Sequence, residues 1–330
     1  MAKIELITGK DDKGRRLDRI LRKALPEHSL SLIHRLLRQG KILVNGMPGR
    51  PDMRIQQNAI IQLHIKIPRN FPKKNIARNC GIKMPCIKMP GILMPCLKMP
   101  SIIWHYSGVI FFNKPSGLAA HGKNSLDSIV KTWLKETLPP SLSFKPGPLH
   151  RLDRYTSGVI AFSENLDGAM AFTNLLMEQC LKKKYLAIVE GRLEKEQLWQ
   201  NDIVRDKAMR KSFVSEDLFA GRLFGTDEKA KNAISSVCPI ASNGTYSLIE
   251  VTITTGRTHQ IRVQAACHGH PLAADIKYGG HPFSEKTNFY LHSWKIEFPA
   301  NQSLFPREIT APLPQAFLEK TRHLFGREFP

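Results

Sequence analysis

The segment HRLDRYTSG, from His150 to Gly158, sets one carboxylate, Asp153, among His150, Arg151 and Arg154. Cationic neighbours favour the charged form of a carboxylate, and an aspartate held at a turn is equipped to act as a base or as a nucleophile. The competing reading of the same residues is a surface ion pair followed by a Thr-Ser-Gly turn. Further along, THQIRVQ sets Arg262 between Ile261 and Val263, an apolar setting for a side chain whose planar, always-charged fork suits bidentate contact with a carboxylate. Tyr185 opens the apolar run YLAIV and on its own reads first as a strand aromatic in a core. His259, beside Arg257 and Thr258, reads as a residue that shapes a helix start.

The rest of the composition says what such residues would act on. Lys and Arg number 49 against 28 Asp and Glu, a formal charge of +21 over 330 residues, which points to a polyanionic partner. No apolar run reaches the roughly 18 residues of a membrane span, and MAKIELITGKDDKGRR lacks the apolar core of a signal peptide. A soluble, cytoplasmic protein that does not engage membranes is expected. Six cysteines, none in a CxxC pair, read as free thiols rather than as a disulfide framework or a zinc site. Neither GxGxxG nor GxxxxGK[ST] occurs.

Elements to position these residues fall into three segments. In 1–68, Leu17, Ile20, Leu21 and Ala24, then Leu32, Ile33, Leu36 and Leu37, repeat at helical spacing on either side of Pro26, with Ser29 or Ser31 as a cap. Arg15, Arg16, Arg19, Arg35, Arg38 and Lys41 lie between them and give a cationic face. ILVNG then reads as a strand entering an Asn45-Gly46 turn, and IIQLHI as an alternating strand. In 69–100, GIKMP, CIKMP, GILMP and CLKMP form a pentapeptide repeat whose prolines forbid continuous helix; this is read as a linker or insertion. From 101 to 330, VIFFNK, GVIAFS, KKKYLAIVEG, TYSLIEVTITTG and NFYLHSWKIEF read as strands. SLDSIVKTWLKETL, ENLDGAMAFTNLLMEQ (with Ala169, Met170, Phe172 and Leu176 inward) and THQIRVQAACHGH read as helices. Without a regular βαβ beat, the pattern predicts an α+β domain with a mixed, mainly antiparallel sheet.

RRLDRIL, SLIHRLLRQGKILVNG and the closing strand resemble the small RNA-binding domain named after the fourth small-subunit ribosomal protein. This S4-like module departs from that pattern at Gln57 and Asn58, where Gly-Asp usually precedes the last strand. NKPSG, HRLDRYTSG, KKYLAIVEG, TGRTHQIRVQAACHGHPLAADIKYG and LHSWKIEF together resemble the RluA-type pseudouridine synthases, and the resemblance spans nearly all of the chain except the repeat. It implies an isomerase that detaches a uracil from its ribose within RNA, turns it and rejoins it through carbon, with neither cofactor nor metal.

By the same resemblance Asp153 is the essential carboxylate, as nucleophile or base. Tyr185 stacks on the target base, Arg262 pairs with Asp153 and Ile261 packs under the uracil. Arg151 enters the RNA stack when the uridine is extruded, and His150 and Arg154 contact RNA phosphate or backbone. The implied substrate is large-subunit ribosomal RNA and the implied state a monomer. The alternatives are the same activity on transfer RNA, a non-catalytic RNA-binding protein, or a hydrolase built on Asp153.

Overall fold

The computed structural model describes residues 2–65, 99–106, 108–138, 141–215, 229–283, 288–327 and 329. Up to residue 98, the pentapeptide repeat lies outside them, as do Cys80, Cys86 and Cys96. The chain divides into two compact units, one of Met1–Lys98, Lys131–Gly147 and Glu164–Asp167, the other of Met99–Val130, Pro148–Ser163 and Gly168–Pro330. This partition differs from the boundaries drawn on sequence, because two stretches beyond residue 101 belong with the first unit.

In the first unit, strand β1 (Ala2–Ile7) precedes helices α1 (Leu17–Ala24) and α2 (Leu30–Arg38), then β2 (Ile42–Val44), β3 (Met47–Pro48) and β4 (Ile60–Ile65). The strands form an antiparallel sheet in the order β1-β4-β2-β3. Leu17, Ile20 and Leu21 of α1 and Ile33, Leu36 and Leu37 of α2 are buried together with Ile42, Ile61 and Leu63, the faces their spacing predicts. The Ser29 hydroxyl caps α2, accepting from Leu32 N at 3.3 Å. Asn45 and Gly46 both adopt positive φ, 49° and 81°, as a two-residue hairpin turn requires. Asn58 takes φ 61°; asparagine tolerates this left-handed conformation, so the turn before β4 forms without the usual glycine.

The same unit explains its extra segments. Leu142 joins the core of the two helices, and Asp12, fully buried, accepts hydrogen bonds from Leu142 N at 3.0 Å and Ser143 N at 2.9 Å. Ser141 and Ser143 hydroxyls donate to the same carboxylate. A buried carboxylate needs such partners, and this one ties a distant stretch of chain to the module.

The second unit carries the remaining elements: β5 (Ile102–Tyr106), β6 (Val109–Lys114), β7 (Gly147–Pro148), β8 (Ser157–Ser163), β9 (Lys182–Glu190), β10 (Gln197–Asp206), β11 (Lys211–Val214), β12 (Lys231–Ser242), β13 (Tyr246–Ile253), β14 (Leu291–Glu297) and β15 (Glu308–Thr310). Its sheet runs β11-β10-β12-β13-β9-β14-β8-β6-β5, with β15 on β14 and β7 on β8. β14 and β8 pair parallel, whereas the pairings from β11 to β14 and from β8 to β5 are antiparallel, so the sheet is mixed and mainly antiparallel. Helices α3 (Leu126–Thr137), α4 (Leu166–Met177), α5 (Gln260–Cys267) and α6 (Gln315–Phe325) complete the chain, α3 and α4 each including residues of the first unit.

Phe172 of α4 packs with Phe111, Phe298 and Phe305, whereas Met170 is 55 % exposed and does not face inward as its sequence position suggested. Strands β10 and β12 carry polar residues at buried positions, which breaks the apolar alternation that marks a strand in sequence. Asn201 and Ser235 point inward beside Trp199 and Ala233, and Pro239 sits where the β12 register shifts, the place a sheet accommodates proline.

Candidate active site

Lys114, at the end of β6, is fully buried and donates from Nζ to the carbonyls of Pro115, Leu118 and Arg154 at 3.0, 2.7 and 3.1 Å. Gly117 N and Arg154 O meet at 2.9 Å, Arg154 Nε donates to Gly117 O at 2.9 Å, and the Ser116 hydroxyl donates to Tyr155 O at 2.8 Å. The NKPSG turn is thereby laced to the HRLDRYTSG loop. Beyond that loop, Gly158 has φ 106°, and a Cβ there would meet the Ser293 carbonyl oxygen at 2.1 Å. Only glycine permits this approach of β8 to β14.

Helix α5 is seated by two glutamines. Gln264, fully buried, donates to the Trp199 and Ala233 carbonyls at 3.0 and 3.1 Å and accepts from the Ser235 hydroxyl at 2.7 Å. Gln260 donates to Ile234 O at 3.1 Å. These bonds fix the rotation of a helix that has little amphipathic character of its own, and with it the direction of Arg262.

Arg262 joins two carboxylates. Its Nη1 donates to Asp153 Oδ2 at 3.0 Å, and its Nε and Nη2 form a fork on Asp275 at 2.7 and 2.8 Å. The guanidinium carbon lies 4.3 Å from the Phe289 ring centre and 5.0 Å from that of Tyr278, cation-π contacts that suit arginine. Although burial opposes its charge, Asp275 and Asp153 raise its pKa. Pairing of Arg262 with Asp153 was expected, but the bidentate contact is to Asp275, which the sequence reading did not single out. Its place in PLAADIKYG, a short step after α5, was the available signal, together with Tyr278.

Asp153 lines an open cleft together with Tyr185 of β9, Ile253 at the end of β13, Leu291 of β14, Ile261 of α5, Arg151 and His259. Tyr185 is 6 % exposed. Burial pushes its hydroxyl up to about 12, a hydrogen bond with Ser293 opposes this, and the Asp153 charge adds to it. It therefore keeps its proton at neutral pH. The cleft offers an apolar slot, one carboxylate and two exposed arginines, Arg151 and Arg257, enough to receive a flat polar ring and act on its attachment point.

His150 and Arg154 do not line this cleft. The Nε2 of His150 accepts the Ala161 N–H at 3.0 Å and its ring stacks on Phe172 at 6.0 Å. Burial, assisted by Lys183, pushes its pKa down to about 3, so it stays neutral and serves the β8 backbone instead of phosphate. Arg154 is exposed yet tied by its Nε to the NKPSG turn. In the other unit, Arg19, Arg35 and Arg38 are exposed and Arg15 and Lys41 half-buried, while Arg16 forks onto Asp18 at 2.8 and 3.2 Å and is a poorer candidate for an RNA contact than its sequence position suggested.

Comparison with known proteins bears out the resemblance. A family model described as RNA pseudouridylate synthase matches residues 108–267, and an S4 domain model matches residues 15–61. The chain belongs to the RNA pseudouridylate synthase family and is an RNA-modifying isomerase. It is 30 % identical over 315 residues to the ribosomal large subunit pseudouridine synthase C of Pasteurella multocida, covering 93 % of this chain and 90 % of that one. To the protein of the same name from Escherichia coli K12 it is 27 % identical, covering 97 % of each chain. Among solved structures, human RNA pseudouridylate synthase domain containing 4 superposes with a TM-score of 0.53 at 21 % identity, over 68 % of this chain and 92 % of that one. No helix among the described residues is long and apolar enough to cross a membrane.

Proposed function

We propose that this enzyme converts specific uridines of large-subunit ribosomal RNA to pseudouridine, with Asp153 as the essential carboxylate. The observation that carries the reading is the 3.0 Å contact between Arg262 Nη1 and Asp153 Oδ2 at the mouth of a cleft lined by Tyr185 and Ile261. In this reading the extruded uracil stacks on Tyr185 above Ile261, and Asp153 attacks the nucleoside or draws off a ribose proton as the bond between base and ribose breaks. The base turns and rejoins through carbon, so atoms and electrons balance without a co-reactant. Arg151 fills the gap left in the RNA. The first unit supplies phosphate contacts, and the protein works as a cytoplasmic monomer. The substrate follows from the names of the relatives; transfer RNA is the alternative substrate.

A hydrolase has little support. The Ser157 hydroxyl does meet His292 Nδ1 at 2.8 Å, but both side chains are buried, His292 fully, and neither lines the cleft. The test is incubation with unmodified ribosomal RNA and chemical detection of pseudouridine and free uracil. Pseudouridine without free uracil is expected. Asp153→Asn, nearly isosteric but unable to supply the anion, is expected to lose turnover by at least about a thousandfold while binding RNA normally; turnover within about tenfold of the unaltered enzyme would remove Asp153 from the mechanism.

A further inference from the structure

The cleft contains a ring that neither the family resemblance nor the proposed reaction uses. His259 stands at the N-terminal end of α5 with φ 57°, a left-handed conformation uncommon for any residue but glycine, asparagine or aspartate. Its side chain lines the cleft and is 12 % exposed. Nδ1 lies 2.7 Å from the Tyr278 hydroxyl. That hydroxyl accepts the Ser212 N–H at 2.9 Å, which leaves its own proton free to be donated to Nδ1. With that hydrogen bond in place, the neutral ring carries its proton on Nε2.

Nε2 faces Asp153, but its distance to Oδ2, 3.8 Å, is beyond hydrogen-bond reach, and Oδ2 is already engaged by Arg262. A half-buried N–H donor aimed into a cleft needs an acceptor from whatever enters the cleft. The groups around the ring keep it neutral. Burial lowers its pKa to about 4; Asp153 opposes this, and Arg262, Arg205 and Lys277 reinforce it.

We propose that His259 is a substrate-contacting residue whose Nε2–H, oriented by the Ser212–Tyr278 hydrogen-bond chain, donates to a carbonyl oxygen of the extruded uracil. The base carries extra negative charge while detached, so a fixed neutral donor would hold it in the cleft during its turn without surrendering a proton. This rests on the reading in which Asp153 acts on a uridine in this cleft.

The test compares His259→Gln with His259→Met in the full chain. The two side chains have nearly the same length and meet the same backbone strain, but only glutamine places an N–H near the position of Nε2. His259→Met is expected to lose about ten- to hundredfold in single-turnover rate with RNA affinity little changed, and His259→Gln to recover most of that loss. Equal rates in the two variants would overturn the inference.

RNA carrying 2-thiouridine or 4-thiouridine at the target replaces one carbonyl oxygen with a poorer acceptor. One of these should slow the unaltered enzyme much more than His259→Met; the same penalty in both enzymes at both positions would exclude a carbonyl contact. Nitrogen-15 NMR of the full chain, with the His259 signal assigned by its absence in His259→Gln, should show a protonated Nε2 and a bare Nδ1 between about pH 6 and 8. A proton on Nδ1 would overturn the proposal. Asp153→Asn run in parallel separates the two readings: if it is active, the assignment of Asp153 fails, and if it is inactive while the His259 pair behave alike, only this inference fails.

Discussion

At Arg262 one guanidinium serves two carboxylates with three nitrogens, and a lysine ammonium cannot reproduce that geometry. Arg262→Lys keeps the charge but must abandon either Asp153 or the buried Asp275. We expect turnover to fall by about a hundredfold or more with RNA affinity nearly kept, and thermal stability to drop because a buried carboxylate loses partners. Wild-type turnover in this variant would show that the contact does not orient Asp153. Tyr185 makes a different prediction. Its hydroxyl, pushed up to about 12 by burial, is a poor base at neutral pH, so stacking is the role that remains to the ring. Tyr185→Phe should therefore retain RNA binding and a substantial part of the turnover; a loss as large as that of Asp153→Asn would assign the hydroxyl a proton-transfer step.

Between elements, the decisive contact is Lys114, which links the end of β6 to the loop carrying Asp153. Burial lowers its pKa from 10.5 to about 7, and the Asp153 charge only partly offsets this. Below about pH 7 Lys114 is protonated in both folded and unfolded chains. Between there and 10.5 the unfolded chain binds the extra proton, so the contribution of this group to stability rises with pH through that window. Lys114→Met removes this term. The stability of the unaltered protein relative to Lys114→Met should thus climb from pH 7 to 10, by at most about 1.4 kcal/mol per pH unit. Denaturant unfolding at a series of pH values checks this, and a flat difference would mean the ammonium is not desolvated. Glycine at 158 is the second such contact: β8 and β14 approach too closely for a side chain, so Gly158→Ala should displace the loop that ends there.

For the whole molecule the relevant property is charge. Removing the N-terminal module outright is a poor experiment, because Leu142 and the Ser141–Ser143 segment depend on it for burial and hydrogen bonds. Neutralising its exposed cations is cleaner. The triple change Arg19→Gln, Arg35→Gln, Arg38→Gln leaves the buried faces of α1 and α2 untouched. It should weaken binding to long structured ribosomal RNA and lower the slope of log affinity against log salt by about 0.7 to 0.9 for each phosphate no longer neutralised. Activity on a short minimal stem-loop should survive. An unchanged slope would show that these arginines do not touch RNA.

Helix spacing, the Asn45-Gly46 turn, the mixed sheet and the motifs around Asp153, Tyr185 and Arg262 were legible in the sequence. Each depends on periodicity, on local turn chemistry or on residue types that recur in a known pattern. Strands β10 and β12 were not, because Asn201 and Ser235 are satisfied inside by Gln264 and Gln260, partners distant along the chain. Long-range contacts likewise decided the roles of individual side chains. His150 turned to the β8 backbone, Arg16 to Asp18, and Asp275 took the fork of Arg262. A sequence specifies which groups a chain can offer. Which of them stay free to meet RNA depends on the hydrogen bonds and burial that only the assembled fold distributes.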